Sequence, residues 1–175
     1  MGNDLRLSGK ISALLTLFLL TTMTPAARPT ADAGASPASA VSTGVAEWVD
    51  FTLPDANGKE VSLGQFIGKT PVLLLFWATW CPHCNESVPV LNRMHREPPT
   101  GGKVKILALD FMESEKKVNA FISSKKVAYP VLLDRRGRVA RKYKVVGIPT
   151  YILLDRQGKV VYRDHDIPEI GKYLE

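Results

Sequence analysis

A chain of 175 residues, 45% hydrophobic and 23% charged, has the composition of one soluble globular domain with an appendage. It is too short for two full domains, yet long enough to bury a core without a disulfide framework, which two cysteines could not build. Collagen, coiled coil, disorder and a multi-span membrane protein are excluded, while the net charge of +6 allows an acidic partner or a membrane surface.

Arg6 and Lys10 precede the apolar run Ile-Ser-Ala-Leu-Leu-Thr-Leu-Phe-Leu-Leu at residues 11–20. A positive start before so short a run fits a signal peptide. Small-residue cleavage sites follow at Thr24-Pro-Ala26 and Ala31-Asp-Ala33. An uncleaved N-terminal anchor over residues 11–27, tethering the chain to the membrane, is the alternative. Thr21, Thr22 and Thr24 interrupt the run and favour cleavage. There is no nearby cysteine for a lipid, and Arg6 stands where myristoylation wants Ser or Thr. Residues 1–27 are therefore a signal peptide or anchor. Either way the rest is periplasmic or otherwise extracytoplasmic, where disulfides form. Residues 28–45, rich in Ala, Pro, Ser, Thr and Gly, bury too little to order and read as a flexible linker.

The domain spans residues 46–175. Residues 48–53 read as a strand, Asn57-Gly58 as the φ > 0 positions of a tight hairpin turn, and residues 60–62 as the return strand. The unbroken apolar run at 71–77 predicts a strand covered on both faces. Two shorter strands follow at 104–109 and 131–133. Between them Val118, Phe121 and Ile122 have helical spacing within residues 113–124. Residues 151–154 and 160–162 flank the turn Asp155-Arg-Gln-Gly158, and residues 167–174 read as a short last helix. Strands alternating with helices and ending in a hairpin predict an α/β mixed sheet with helices on both faces and an added N-terminal β-hairpin.

The chemistry lies in Trp77-Ala-Thr-Trp-Cys81-Pro-His-Cys84, between a buried strand and a helix. Cys81 falls at the N-cap and Pro82 at the first helical position. Free N–H groups and the positive helix end then favour a thiolate at Cys81, the nucleophilic form in disulfide exchange. Cys84 begins the apolar stripe Cys84, Val88, Leu91, so its sulfur is the more buried and resolves the mixed disulfide. As a staple the pair closes too short a loop to stabilise much. As a zinc site it supplies two ligands, with only His83, His95 and His165 as further candidates.

These residues resemble the thioredoxin superfamily, and within it the exported TlpA/ResA-like thiol–disulfide oxidoreductases. The likeness includes Phe51-Thr-Leu-Pro-Asp-Ala-Asn-Gly58, the segment 68–81, Pro89 inside the helix, and Val146-Gly-Ile-Pro149-Thr-Tyr-Ile-Leu-Leu-Asp155. The resemblance implies a thioredoxin-like fold and no cofactor. It also implies a cis Pro149 beside the redox pair, and a substrate surface formed by Trp80, Pro82, His83, Ile148 and Pro149. Substrates would be exported proteins bearing cysteines or disulfides, and electrons would come from a membrane thiol carrier.

Three departures qualify it. Leu75 stands where relatives often carry a polar residue, Asp in thioredoxin itself, so Cys84 must lose its proton to water or another group. Ser87 stands where many carry Glu, and Glu86 is rotated about 100° away, a solvated residue near the helix start. Pro82-His83 resembles the strongly oxidising periplasmic disulfide-forming enzymes.

His95 reads as a packed or surface residue, and His165, between two aspartates, as solvated. The run Arg135, Arg136, Arg138, Arg141, Lys142, Lys144 reads as a solvated helix face, with a docking patch for an acidic partner as the alternative. Nucleic acid does not suit an exported protein. The favoured function is a thiol–disulfide oxidoreductase, a reductant in cytochrome c or copper-site maturation. The alternatives are a periplasmic disulfide-forming oxidant and a Cu(I)-binding or delivery module using Cys81, Cys84 and a histidine. A peroxidase lacks support, because no arrangement of Thr and Arg surrounds Cys81.

Overall fold

A computed structural model describes residues 47–97 and 103–174. The expected signal or anchor, the linker and the first residue of the expected domain lie outside the described residues. Within them no helix is long and apolar enough to cross a membrane.

Ten elements follow in order: β1 (Thr52–Pro54), β2 (Glu60–Ser62), β3 (Val72–Trp77), α1 (Pro82–Arg96), β4 (Lys105–Phe111), α2 (Glu115–Lys125), β5 (Val131–Asp134), α3 (Arg138–Lys142), β6 (Thr150–Leu154) and β7 (Val160–Asp164). Short 3-10 turns lie at Leu63–Gln65 and Ile170–Lys172. The main sheet has the order β5-β4-β3-β6-β7. Strands β3, β4 and β5 are parallel, and β6 runs antiparallel to both β3 and β7. The ends of β3, β4, β5 and β7 and the start of β6 therefore share one end of the sheet.

Strand β3 is apolar throughout because both its faces are covered. Leu73, Leu75 and Trp77 pack with Val88 and Leu91 of α1 and Val118 and Phe121 of α2. Val72, Leu74 and Phe76 face Val139, Ala140 and Tyr143 beyond the sheet, together with Phe51 and Leu53. Each such side chain contributes on the order of 1.5–3 kcal/mol on burial. This is the expected thioredoxin-like layering, and the β1–β2 hairpin is the expected addition.

Three local expectations change. The first strand is not residues 48–53: regular pairing covers Thr52–Pro54, with Phe51 accepting from the Leu63 N–H just beyond β2 and Trp48 donating to the Gly158 carbonyl instead. Val49 is held by Tyr143, whose hydroxyl accepts from its N–H at 3.1 Å and donates to its carbonyl at 2.9 Å. In the first turn only Gly58 has positive φ, 82°, as in a type I turn closed by a left-handed residue. The Asp55 Oδ1 accepts there from the N–H groups of Asn57 and Lys59, and Asp155 repeats the pattern with Gln157 and Lys159. At the end of the chain the expected helix is only the turn Ile170–Lys172. Buried Ile170 and the tilted Tyr162–Tyr173 ring pair, 5.1 Å between centroids, fix that segment together with two 3-10 bonds, from the Lys172 and Tyr173 N–H groups to the Glu169 and Ile170 carbonyls.

Gly158 has φ 87° and lies under Trp48, so an added Cβ would overlap the indole. Gly58, at φ 82°, has nothing within 4 Å of such a Cβ. Gly158→Ala is expected to destabilise by about 2–4 kcal/mol, combining left-handed strain with overpacking, and Gly58→Ala by about 1–2 kcal/mol from strain alone. Equal losses in urea unfolding would contradict the role given to Trp48.

Candidate active site

Strand β3 delivers the chain to the sheet end at Trp77, where Ala78-Thr79-Trp80 turns it into α1. Cys81 is the N-cap, with φ −86° and ψ 113°, and Pro82 follows at the first helical position. The Cys84 N–H donates to Cys81 Sγ at 3.2 Å, so a helix-start donor points at that sulfur. Cys81 and Cys84 form a disulfide with Cα atoms 5.3 Å apart. In this state Cys81 is 4% exposed and Cys84 2%, the latter heading the buried stripe with Val88 and Leu91.

A carboxylate pair fixes the approach to Cys81. From the sequence, Glu113 reads as the start of a helix. That helix instead begins after the N-cap Ser114, and Glu113 turns back to the active loop. Its Oε2 accepts from the Thr79 N–H at 2.6 Å, and its Oε1 from the Thr79 hydroxyl at 2.8 Å. Lys117 forms an ion pair with it from one helical turn away. The Thr79 carbonyl accepts from Asn85 Nδ2 at 3.3 Å, closing the loop onto α1. Asp110 lies behind Glu113. It is wholly buried and sits opposite Trp77 across the β3–β4 ladder. Strand alternation puts it on the face of Ile106 and Ala108, the layer that contains both cysteines. Its Oδ2 accepts from the Glu113 N–H at 3.1 Å, and its Oδ1 has no partner. Burial and the Glu113 carboxyl push Asp110 up to about 7, against the opposing Glu113 N–H and Lys117. Burial also resists charge on Glu113, but Lys117 and the two Thr79 donors outweigh it and lower its value. The two carboxyls are thus driven apart, Asp110 upward and Glu113 downward.

Beside the first turns of α1 runs a groove of about 600 Å³. His83 and Ser87 form one wall, Ile148 and Pro149 the other, Tyr151 lies between them, and His165 and Asp166 close the far side. The Ile148–Pro149 bond is cis. The buried Tyr151 donates its hydroxyl to Ser87 Oγ at 2.7 Å, and Ser87 donates to the His83 carbonyl at 3.0 Å. The position from which a carboxylate is missing is thus filled by two hydroxyls. His165 is exposed but not merely solvated: its Nδ1–H donates to the Pro149 carbonyl at 2.6 Å. Glu86 is exposed but paired, 3.4 Å from His83 Nδ1, so the imidazole is turned toward it.

The residues expected at the substrate surface are only partly assembled. His83, Ile148 and Pro149 share the groove, and Pro82 is exposed beside it. Trp80, 61% exposed, lines a separate depression with Phe111, Met112, Glu113 and Lys117. His95 is a surface residue lowered by partial burial and by Lys105 and Arg96. Among the described residues, no group of three or more His, Cys, Asp or Glu side chains is arranged to hold a metal ion. Asp110, Glu113 and His165 are the site residues that sequence reasoning missed. Asp110, immediately after the apolar run at 104–109, was the available signal.

The chain is 36% identical over 64% of its length to the thiol-disulfide oxidoreductase ResA of Bacillus thuringiensis subsp. konkukian. It spans 64% of that relative's own length. A Chlorobium tepidum protein assigned as a thiol:disulfide interchange protein DsbE matches it at 32% identity and a TM-score of 0.62, covering 68% of this chain and 82% of that one. StoA from Bacillus subtilis matches at 25% identity and a TM-score of 0.59, covering 67% and 87%. With residues 46–163 also matching the AhpC/TSA family, the redox pair at a helix start and the cis proline opposite it fall into place together: the chain belongs to that thioredoxin-like family.

Proposed function

We propose that this protein is an exported thiol–disulfide oxidoreductase that exchanges disulfides with cysteine-bearing proteins through Cys81 and Cys84. The observation that carries the reading is the Cys81–Cys84 disulfide at the start of α1, with the Cys84 N–H on Cys81 Sγ. Reduced, that geometry lowers the energy of a Cys81 thiolate. The thiolate attacks a substrate disulfide, one substrate sulfur leaves with its electron pair, and Cys81 is joined to the other. Cys84 then loses its proton, attacks Cys81 Sγ and expels the substrate thiolate, leaving the internal disulfide. Asp110 takes that proton, the part that Leu75 cannot play: it is a carboxyl near neutrality on the face of the sheet that carries the cysteines. Ile148 and Pro149 present backbone to an extended substrate segment, and Pro82 and His83 meet it from α1.

Within this reading the direction is reducing, with cytochrome c or copper-site proteins as substrates and a membrane thiol carrier supplying electrons; the similarity to a relative named a thiol-disulfide oxidoreductase supports the exchange chemistry itself. Residues 1–27 are the export signal or tether, 28–45 the linker, and 46–175 the catalytic domain.

Equilibration with glutathione tests both exchange and direction. A reductant lies near thioredoxin, about −270 mV, and an oxidant near −120 mV. His83→Glu is expected to raise the Cys81 pKa and make the pair more reducing. Because His83 is turned toward Glu86, the change should be about 30 mV, the lower end of what one charge-assisted contact supplies. An unchanged Cys81 titration and glutathione equilibrium would remove His83 from the electrostatics of the pair.

A further inference from the structure

The basic run finds a place at the active end of the sheet. Residues 135–137 leave the end of β5, and Arg138 starts α3. Arg135 is paired with Glu115, but Arg136, Arg138, Arg141, Lys142 and Lys144 are exposed and have no carboxylate partner among the described residues. Glu60 lines the same depression as Arg136 and Arg138 without pairing to either. The scaffold beneath is fixed: the buried Asp134 carboxylate accepts the N–H groups of Arg138, Val139 and Ala140 at 2.8–2.9 Å. Like charges at Arg138–Arg141 and Arg138–Lys142 stand three and four residues apart, spacings that cost helix stability. Arg141 and Lys142 suit the last turn of α3, but stability does not account for Arg136 and Arg138.

A continuous surface joins it to the disulfide. Trp80, next to Cys81, shares its depression with Met112, which is 54% exposed. Met112 in turn lies against Gly137, where an added Cβ would come within 3.0 Å of its sulfur. Val146, 97% exposed, lies between Lys144 and the Ile148–Pro149 loop. Beyond the groove the charge reverses, with Glu86, Asp164 and Asp166 around His83 and His165. The active end is thus cationic toward β5, apolar about Cys81, and acidic toward β7.

We infer that this face docks a cysteine-bearing protein segment whose residues on one side of the cysteine are acidic, held by Arg136 and Arg138. The inference rests on the redox reading above and adds the class of substrate. Strand β5 is two strands from β3, about 10 Å, which an extended chain covers in about three residues. The acidic positions are therefore the third and fourth from the substrate cysteine.

The test uses reduced full-length protein and nine-residue peptides carrying a central cysteine as its 2-thiopyridine mixed disulfide. Aspartate or lysine occupies the third and fourth positions, before the cysteine in one set and after it in another. At low ionic strength one aspartate peptide should react at least about tenfold faster than its lysine counterpart, the two converging in 1 M salt. Arg136→Glu/Arg138→Glu should abolish or reverse that preference. Lys69→Glu/Arg156→Glu, the same charge change at the opposite end of the sheet, should retain it. Equal rates for all peptides, or a preference untouched by Arg136→Glu/Arg138→Glu, would overturn the docking assignment alone. Failure of the wild type to react with any peptide would overturn the redox reading and this assignment with it. Binding to phosphatidylglycerol vesicles that depends on Arg136 and Arg138, with no peptide preference, would give the patch to a lipid surface and overturn it too.

Discussion

Asp110→Asn is expected to be more stable than the wild type at pH 8 and, at pH 7, slower to release its substrate. The first effect follows from linkage. A carboxyl raised from its ordinary value to about 7 by burial binds its proton more tightly in the folded chain than in the unfolded one. It costs no stability below about pH 4, where it is protonated in both states. Between there and about pH 7 the cost grows as pH rises. At pH 8 it reaches on the order of 4 kcal/mol for an isolated group, and about 2–4 kcal/mol when the charge is shared with Glu113. Asparagine is neutral, keeps an acceptor for the Glu113 N–H and turns an amide toward its carboxylate. Urea unfolding should show the variant's advantage growing from pH 5 to pH 8. A pH-independent difference would show that Asp110 does not ionise over this range. The second effect comes from loss of the proton acceptor. Resolution of a mixed disulfide at pH 7 should slow about 10²-fold, and its inflection near neutrality should vanish.

The two cysteine variants are expected to differ still more. Cys84→Ser should accumulate mixed disulfides with substrate proteins, because Cys81 still attacks and nothing resolves the product. Cys81→Ser should trap almost none. Its remaining thiol heads the stripe of Val88 and Leu91 and lacks the helix-start donor that Cys81 receives. Each unit by which Cys81 lies below Cys84 in pKa is worth about tenfold in thiolate at neutral pH. Non-reducing electrophoresis after acid quenching reads the ratio directly. Equal trapping, or trapping by Cys81→Ser alone, would reverse the two roles.

The elements that carry these results were legible to different degrees. Strand β3 was plain because a strand buried on both faces has no reason to alternate, and the redox helix because N-cap, proline and stripe agreed. Asp110 and Glu113 were not. A single acid after an apolar strand reads as the strand's end, and Glu113, four residues before Lys117, reads as an ordinary helix-surface pair. What gives them meaning is the β3–β4 register, which sets Asp110 opposite Trp77, and the hydrogen bonds from Thr79, a residue 34 positions away. The segment 48–51 failed for a related reason. Its aromatic and β-branched residues are real, but Trp48 and Val49 are held by Gly158 and Tyr143 and only Asp50 and Phe51 reach the end of the hairpin, and no local pattern announces this. His165 was hidden likewise, since its partner is a main-chain carbonyl at the start of β6.

The attachment of residues 47–49 bears on the order in which this chain comes together. Glu47 pairs with Lys159, the Trp48 N–H donates to the Gly158 carbonyl, and Val49 is gripped by Tyr143. These contacts close a loop of roughly a hundred residues, and its entropy is recovered only once the far side exists. During synthesis the strip emerges early, while its partners arrive near the chain's end. Strands β3 and β4 and the redox helix between them can gather before that moment. The earliest piece of the domain to appear is then the last to be sewn in, and a ribosome-stalled chain ending before β7 would carry both cysteines on a sheet whose margin is still open.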